Sequence, residues 1–221
     1  MTMRALLVDD HRMLREGLRA ILEKDDSFTV VGEASNGREA IRLVQALRPD
    51  LIVMDVVMQD MNGIEATRQI KALAPNIKVI ALSSHSDRRY VKAILEAGAH
   101  GYVLKANAYE ELLRAVDAAR RGLTFLSAEV TSEIVESALQ QGTEGSVYEI
   151  LGAREREVLQ LLAEGLTSCE IATRLCVSTR TIDSHRRNIM RKLDLHNVAA
   201  LTKYAIREGL TELDAPDGGG S

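Results

Sequence analysis

Along the first 121 residues, short apolar runs alternate with longer stretches in which apolar side chains recur every three or four positions. Residues 3–8, Phe28–Ala34, Leu51–Asp55, Ile77–Leu82 and Gly101–Leu104 read as strands. Between them, Arg12–Lys24 places Met13, Leu14, Leu18, Ile21 and Leu22 on one helical face. Gly37–Leu47 is helical and is stopped by Pro49. Asn62 and Gly63 open a helix with Ile64, Thr67, Ile70 and Leu73, followed by Pro75. Asp87–Ala97, closed by Gly98, and Tyr109–Arg121, closed by Gly122, complete the set. Five strands alternating with five helices predict a doubly wound, five-stranded parallel α/β sheet covered on both faces, over residues 3–121.

After Gly122 the pattern changes. Residues 122–146 read as a linker with one helix over 131–141, and Gln141–Ser146 has the composition of a flexible connector. Residues 147–212 predict an all-α domain of four helices. Arg154–Glu164 carries Val158, Leu159, Leu161 and Leu162 and ends at Gly165. Ser168 can cap a helix with Ile171, Ala172 and Leu175. A turn at Cys176 and Val177 follows. Ser178 can cap a helix to about Lys192, with Ile182, Ile189 and Leu193 inward. Asn197–Glu208 is the last helix, with Val198, Leu201, Ala205 and Ile206 apolar. Residues 213–221 are disordered by composition.

A formal net charge of −4 by itself argues against a nucleic-acid binder, but the charge is unevenly spread. Residues 151–210 carry ten Lys+Arg against seven Asp+Glu, and 174–192 carry six Arg+Lys against one Asp. The basic charge therefore sits on one helix, whose outer face presents Arg180, Asp183, Ser184, Arg187 and Arg191. Two short helices, a tight turn and a basic face are the parts of a helix-turn-helix. No apolar run approaches the roughly 20 residues of a membrane span. Cys169 and Cys176 make no disulfide framework and no zinc spacing, with Cys176 expected in the core and Cys169 at the surface. These features place the chain in the cytoplasm, away from membranes.

The chemistry collects at strand ends. Asp9 and Asp10 follow the first strand, Asp55 ends the third, Ser83 and Ser84 follow the fourth, and Lys105 follows the fifth. In parallel sheets, ligands bind beyond the carboxyl ends of the strands. Three carboxylates in one crevice repel, and a hard divalent cation such as Mg2+ relieves the repulsion. A lysine and a hydroxyl nearby suit an anion that joins the site, which points to phosphoryl transfer onto a carboxylate. His11 is expected to start the first helix and Met54 and Met58 to pack; His85 stands near the site, where it could affect phosphate lifetime, and is expected first as a solvated loop residue.

Leu7–His11, Met54–Met58, Asn62–Gly63, Leu82–Ser84 and Gly101–Lys105 together resemble a two-component response-regulator receiver. The resemblance implies a flavodoxin-like fold and a phosphoryl group accepted at Asp55 from a histidine kinase. It implies Mg2+ held by Asp10, Asp55 and the Val57 carbonyl, with Asp9 acting through water. Ser83 would contact the phosphoryl group, Lys105 would pair with it, and Tyr102 would change orientation on activation. Gln59 and Ala106 stand where the family often has proline. An aspartate-nucleophile phosphatase, similar to the haloacid dehalogenase group, is the enzymatic alternative. Such enzymes carry a second acid two residues after the nucleophile, and here that residue is Val57. The chain is therefore expected to be no turnover enzyme, releasing its phosphate only slowly.

Arg154–Leu159, Glu164–Thr167, Glu170–Ala172, Leu175, Val177–Ser178, Thr181–His185 and Asn188–Leu193 resemble the LuxR-type DNA-binding domain, and the whole chain resembles the NarL/FixJ type of regulator. Leu151–Ala153 stands where that family often has Leu-Thr-Pro. The resemblance implies a DNA-binding transcription regulator with Ser168–Arg187 as its helix-turn-helix. Asp183, Ser184 and Arg187 would reach base edges of double-stranded DNA, with Arg187 suited to guanine. Arg180, Thr181, Arg186, Arg191 and Lys192 would meet phosphates. The last helix, through Val198, Leu201 and Ala205, would pair two copies as a homodimer on promoter half-sites.

Overall fold

The computed structural model describes residues 2–139 and 147–211. The connector at 141–146 and the tail at 213–221 lie outside the described residues. The chain divides into two units, Met1–Glu144 and Gly145–Ser221, so the division falls within the expected linker.

In the first unit the elements run β1 (Met3–Val8), α1 (Arg12–Leu22), β2 (Phe28–Ala34), α2 (Gly37–Leu47), β3 (Leu51–Asp55), α3 (Gly63–Leu73), β4 (Lys78–Ser83), α4 (Arg88–Glu96) and β5 (Gly101–Leu104). A 3-10 turn (Lys105–Asn107), α5 (Ala108–Arg120), β6 (Phe125–Leu126) and α6 (Ala128–Leu139) follow. All strand pairs are parallel, in the order β2-β1-β3-β4-β5-β6.

Successive strand residues point to opposite faces, so a strand covered on both sides must be apolar throughout. Leu7 and Val53 pack with Leu18, Leu22, Leu112 and Val116 of α1 and α5. Their neighbours Leu6 and Ile52 pack with Ala40, Val44 and Ile70 of α2 and α3. Every residue of β3 is buried. Met54 and Met58 belong to this packing, as expected.

The sheet has six strands, not the five expected. Phe125 and Leu126 pair with Gly101 and Tyr102. A two-residue strand has no periodicity to read, and only its backbone partner reveals it. The linker helix accordingly begins at Ala128 instead of 131, because the chain turns into it directly from the sheet.

The second unit holds α7 (Val147–Ile150), α8 (Ala153–Ala163), α9 (Ser168–Arg174), α10 (Thr179–Leu193) and α11 (Val198–Arg207) around one apolar core. The expected four helices are therefore present, preceded by one short turn of helix. Ser178 caps α10 as predicted. The cap of α9 is Thr167, not Ser168: Thr167 Oγ1 accepts the Glu170 N–H, and the Glu170 carboxylate accepts the Thr167 N–H. A threonine and a glutamate three residues apart satisfy two end groups reciprocally, which Ser168 with Ile171 cannot. At α8, Gly152 has no side chain to offer, but Glu155 Oε2 accepts its N–H at 2.9 Å.

Cys176 is exposed, not in the core. It takes the left-handed conformation (φ 52°) in the turn between α9 and α10, which aims its side chain outward. Leu201 and Ala205 are fully buried beneath their own domain. Their expected role in pairing two copies is therefore corrected: the core already surrounds them, and of the three residues named only Val198 is exposed. Among the described residues no helix is long and apolar enough to cross a membrane.

Candidate functional site

The strand register sets the site. Val8 lies beside Met54, Asp55 beside Leu82, and Ser83 beside Leu104, so four strands end on one rim. Asp9 is fully buried, Asp55 is 2% exposed, and Ser83 is 1% exposed. Lys105 reaches across this rim. Its Nζ lies 2.8 Å from Asp55 Oδ2 and 2.9 Å from Asp9 Oδ2.

Burial, then the neighbouring Asp9 charge, pushes the Asp55 carboxyl up to about 8 against the pull of Lys105. Burial disfavours the Lys105 charge, but Asp55 and Asp9 more than offset it, and its pKa is raised. The two shifts describe one cluster: an acid pair with more negative charge than a single ammonium neutralises.

Asp9, Asp10, Asp55 and His11 each offer a ligand atom within 4.8 Å of one another. Carboxylate oxygens around an excess of buried negative charge fit a hard divalent cation. Val57, the remaining expected ligand, stands two residues beyond Asp55 in the loop after β3.

Asn62 caps α3 by accepting the Glu65 N–H. Gly63 donates its N–H to Val56, and a Cβ on it would stand 1.9 Å from the Asp55 carbonyl oxygen. Only glycine lets α3 begin this close to the acid.

Tyr102 is fully buried, and its hydroxyl donates to the His85 carbonyl at 2.7 Å. Burial pushes its phenol well above the ordinary value. The His85 N–H donates to Ser83 Oγ at 3.0 Å, and its ring stacks on Tyr90 at 4.9 Å. His85 is a half-buried loop residue braced against the protein, with Tyr90 of α4 giving its ring a flat partner.

Two further residues stand near the site: His11, expected only to start the first helix, and Arg15, not named from sequence. The His11 backbone N–H donates to Asp9 Oδ1, and its imidazole lies 2.8 Å from Asp10 Oδ1. His11 does begin α1, but its adjacency to the two aspartates already signalled this closeness. Arg15 donates to the Asp9 carbonyl and pairs with Glu33, which also pairs with Arg19. Nothing in the spacing of Arg15 distinguished it from a solvated helix residue.

In the second unit α10 presents Arg180, Asp183, Arg187 and Arg191, at helical spacing, on an exposed face. Ser184 is half-buried and accepts from Arg187 at 3.2 Å, while its own hydroxyl donates to the Arg180 carbonyl. Thr181 lies in the first turn, 2.8 Å from the Ser178 hydroxyl. Two expected phosphate contacts have partners within the second unit. Lys192 pairs with Glu155 at 2.6 Å, and Arg186 donates to Ser168 Oγ at 2.8 Å.

Comparison with known proteins follows the same division. The response regulator receiver domain family matches residues 5–117, and the luxR family of bacterial regulatory proteins matches residues 149–205. The chain is 40% identical to the transcriptional regulatory protein LiaR of Bacillus subtilis over 207 residues, 94% of this chain and 98% of that one. It is 37% identical to the response regulator VraR of Staphylococcus aureus over 212 residues, 96% of this chain and 100% of that one. Among solved structures, RcsB of Salmonella enterica serovar Typhimurium, bound to promoter rprA in the presence of a phosphomimetic beryllium fluoride, matches at 29% identity with a TM-score of 0.62. That match covers 92% of this chain and 98% of RcsB. The chain belongs to the response regulators that join a receiver domain to a LuxR-type DNA-binding domain.

Proposed function

We propose that Asp55 is a phosphoacceptor whose state controls binding of double-stranded promoter DNA by α10. The observation that carries this reading is the Lys105 ammonium held within 2.9 Å of both Asp55 and Asp9 at a buried rim. A cation so placed is organised in advance for the oxygens of a transferring phosphoryl group.

In this mechanism an Asp55 carboxylate oxygen attacks the phosphorus of a phosphohistidine on a histidine kinase. The P–O bond to Asp55 forms as the P–N bond breaks, and the imidazole leaves with its electron pair. Lys105 pairs with the transferring oxygens, and the Ser83 hydroxyl hydrogen-bonds to one of them. Asp10, Asp55 and the Val57 carbonyl would hold Mg2+, with Asp9 beside them, and the ion would supply positive charge that favours the ionised Asp55 and offsets the incoming phosphate. Ser83 engaged by phosphate would draw on the loop that holds His85, and the Tyr102 hydroxyl bonded to His85 would move with it. The response is a population shift, in which phosphorylation favours a state that frees the DNA-binding unit or pairs two copies.

On α10, Asp183, Ser184 and Arg187 face base edges, and Arg180, Thr181 and Arg191 meet phosphates. Lys192 and Arg186 serve the fold first. RcsB bound to promoter DNA with beryllium fluoride supports a phosphate-dependent DNA role for this chain as well. The protein then works as a cytoplasmic switch and not as a turnover enzyme. Incubation with a small phosphodonor and Mg2+ tests the assignment: the wild type incorporates phosphate and Asp55→Asn does not. Equal incorporation in both would sink it. Selection of DNA from a random pool, with and without phosphodonor, reports the site and its phosphate dependence together.

A further inference from the structure

Ser127 lies beyond the last residue of α5, in a stretch with no hydrophobic period, yet it is fully buried. Its bonds converge on β5. Its N–H donates to the Tyr102 carbonyl at 3.0 Å, and its Oγ accepts the Leu104 N–H at 3.1 Å. The same hydroxyl donates to the Glu111 carboxylate of α5, and the Ser127 carbonyl accepts the Thr131 N–H of α6. One residue thus holds Tyr102 and Leu104 together, and Leu104 directly precedes Lys105.

A second tie stands beside it. Asn107, which ends the 3-10 turn begun by Lys105, donates to both carboxylate oxygens of Glu129 at 3.1 Å. The turn that carries Lys105 is therefore bound at both ends to the start of α6. The β5–β6 ladder stops at Tyr102 and Leu126, and at Leu104 a side chain takes over from the backbone. A side-chain bond at that point can be released without unpairing the sheet.

The consequence for Lys105 is geometric. Charge interactions in a buried site vary steeply with separation, and the anchor of a long side chain decides where its ammonium can reach. We propose that Ser127 is a positioning residue: it sets the exit of β5, and so the reach of Lys105 to Asp55, and thereby couples the aspartate site to the docking of β6 and α6. The proposal rests on the phosphoacceptor reading above. Equilibrium coupling acts in both directions, so a phosphoryl group on Asp55 should in turn shift the docking of α6.

The test uses the full chain as wild type, Ser127→Ala and Asn107→Ala. Uptake from phosphoramidate with Mg2+ is followed over donor concentration, and melting is recorded in parallel. Ser127→Ala should lower the maximal uptake rate about tenfold or more with little change in the half-saturating donor concentration, as expected when the reacting groups are misplaced but the donor still binds. Asn107→Ala, which changes an exposed contact, should lower it about threefold. Phosphorylation of the wild type should alter amide exchange in the first two turns of α6, and Ser127→Ala should blunt that response. A folded Ser127→Ala chain with uptake within about twofold of wild type would overturn the proposal. If that variant does not fold, unchanged uptake in Asn107→Ala overturns it instead. No uptake by the wild type would overturn the phosphoacceptor reading and this inference with it.

Discussion

At the rim of the sheet, Asp9 and Asp55 are withdrawn from water and share the ammonium of Lys105. Along α10, Arg180, Asp183, Arg187 and Arg191 stand in solvent. The two arrangements suit opposite tasks. Buried charges interact strongly and are expensive to leave unmatched, so a phosphoryl group arriving there shifts a finely balanced set. Exposed charges contribute little to the fold, and so remain available to meet the phosphates of a nucleic acid. Within α10, Lys192 is exposed as well, but its ammonium is engaged by the buried Glu155.

The sharpest break of this comparison is Asp55→Asn, which should abolish phosphoryl uptake, a loss of at least about a thousandfold, because no carboxylate remains to attack. Radiolabelled or mass-resolved incorporation reads this directly. Next in size is Leu201→Ala. As a fully enclosed side chain it should cost the second unit about 3 kcal/mol in urea unfolding, whereas Val198→Ala should stay within about 0.5 kcal/mol. A small loss at Leu201 would restore it as a surface contact.

Arg187→Ala should weaken specific DNA binding by about 1–3 kcal/mol and relax the preference at one base pair. Lys192→Ala, which breaks a partly exposed ion pair with Glu155, should cost no more than about 1 kcal/mol of stability and leave the salt dependence of binding nearly unchanged. Equal salt slopes for the wild type and Arg191→Ala would remove Arg191 from the phosphate contacts.

The buried site also predicts a pH effect in the absence of divalent cations. The Asp55 carboxyl is raised to about 8, so between the ordinary carboxylate range and that value the folded state holds a proton that the unfolded state releases. Its contribution to stability is therefore present at low pH and is lost as pH rises through this window. Asp55→Asn should flatten the dependence and be more stable than wild type at pH 8, on the order of 2 kcal/mol. A wild-type-to-variant difference that is the same at pH 5 and pH 8 would contradict the shift. The smallest expected effect is Cys176→Gly, which relieves a left-handed backbone and should stabilise the second unit by up to about 1 kcal/mol in thermal unfolding.

Much of this was legible along the chain. The strands and helices of the receiver followed from apolar period, and the acid-lysine set followed from which residues stand at strand ends. The bracing of His85 was not legible because its stacking partner, Tyr90, belongs to the next helix. Leu201 and Ala205 looked available for a partner because an apolar stripe does not say whose core it enters. Thr167 caps α9 where Ser168 was expected, and the Thr167–Glu170 spacing of a capping box carries that signal in the sequence.

The local order of residues by itself determined β1 to β5 and the main helices, the rim that collects Asp9, Asp10, Asp55, Ser83 and Lys105, and the basic face of α10. These depend on short-range periodicity and on the rule that parallel strands end together. The tertiary structure alone decided that Lys105 bridges two buried acids, that Lys192 is spent on Glu155, and that Ser127 closes onto β5. Each of those joins residues far apart in the chain, through bonds whose strength depends on burial, and burial is a property of the packed molecule.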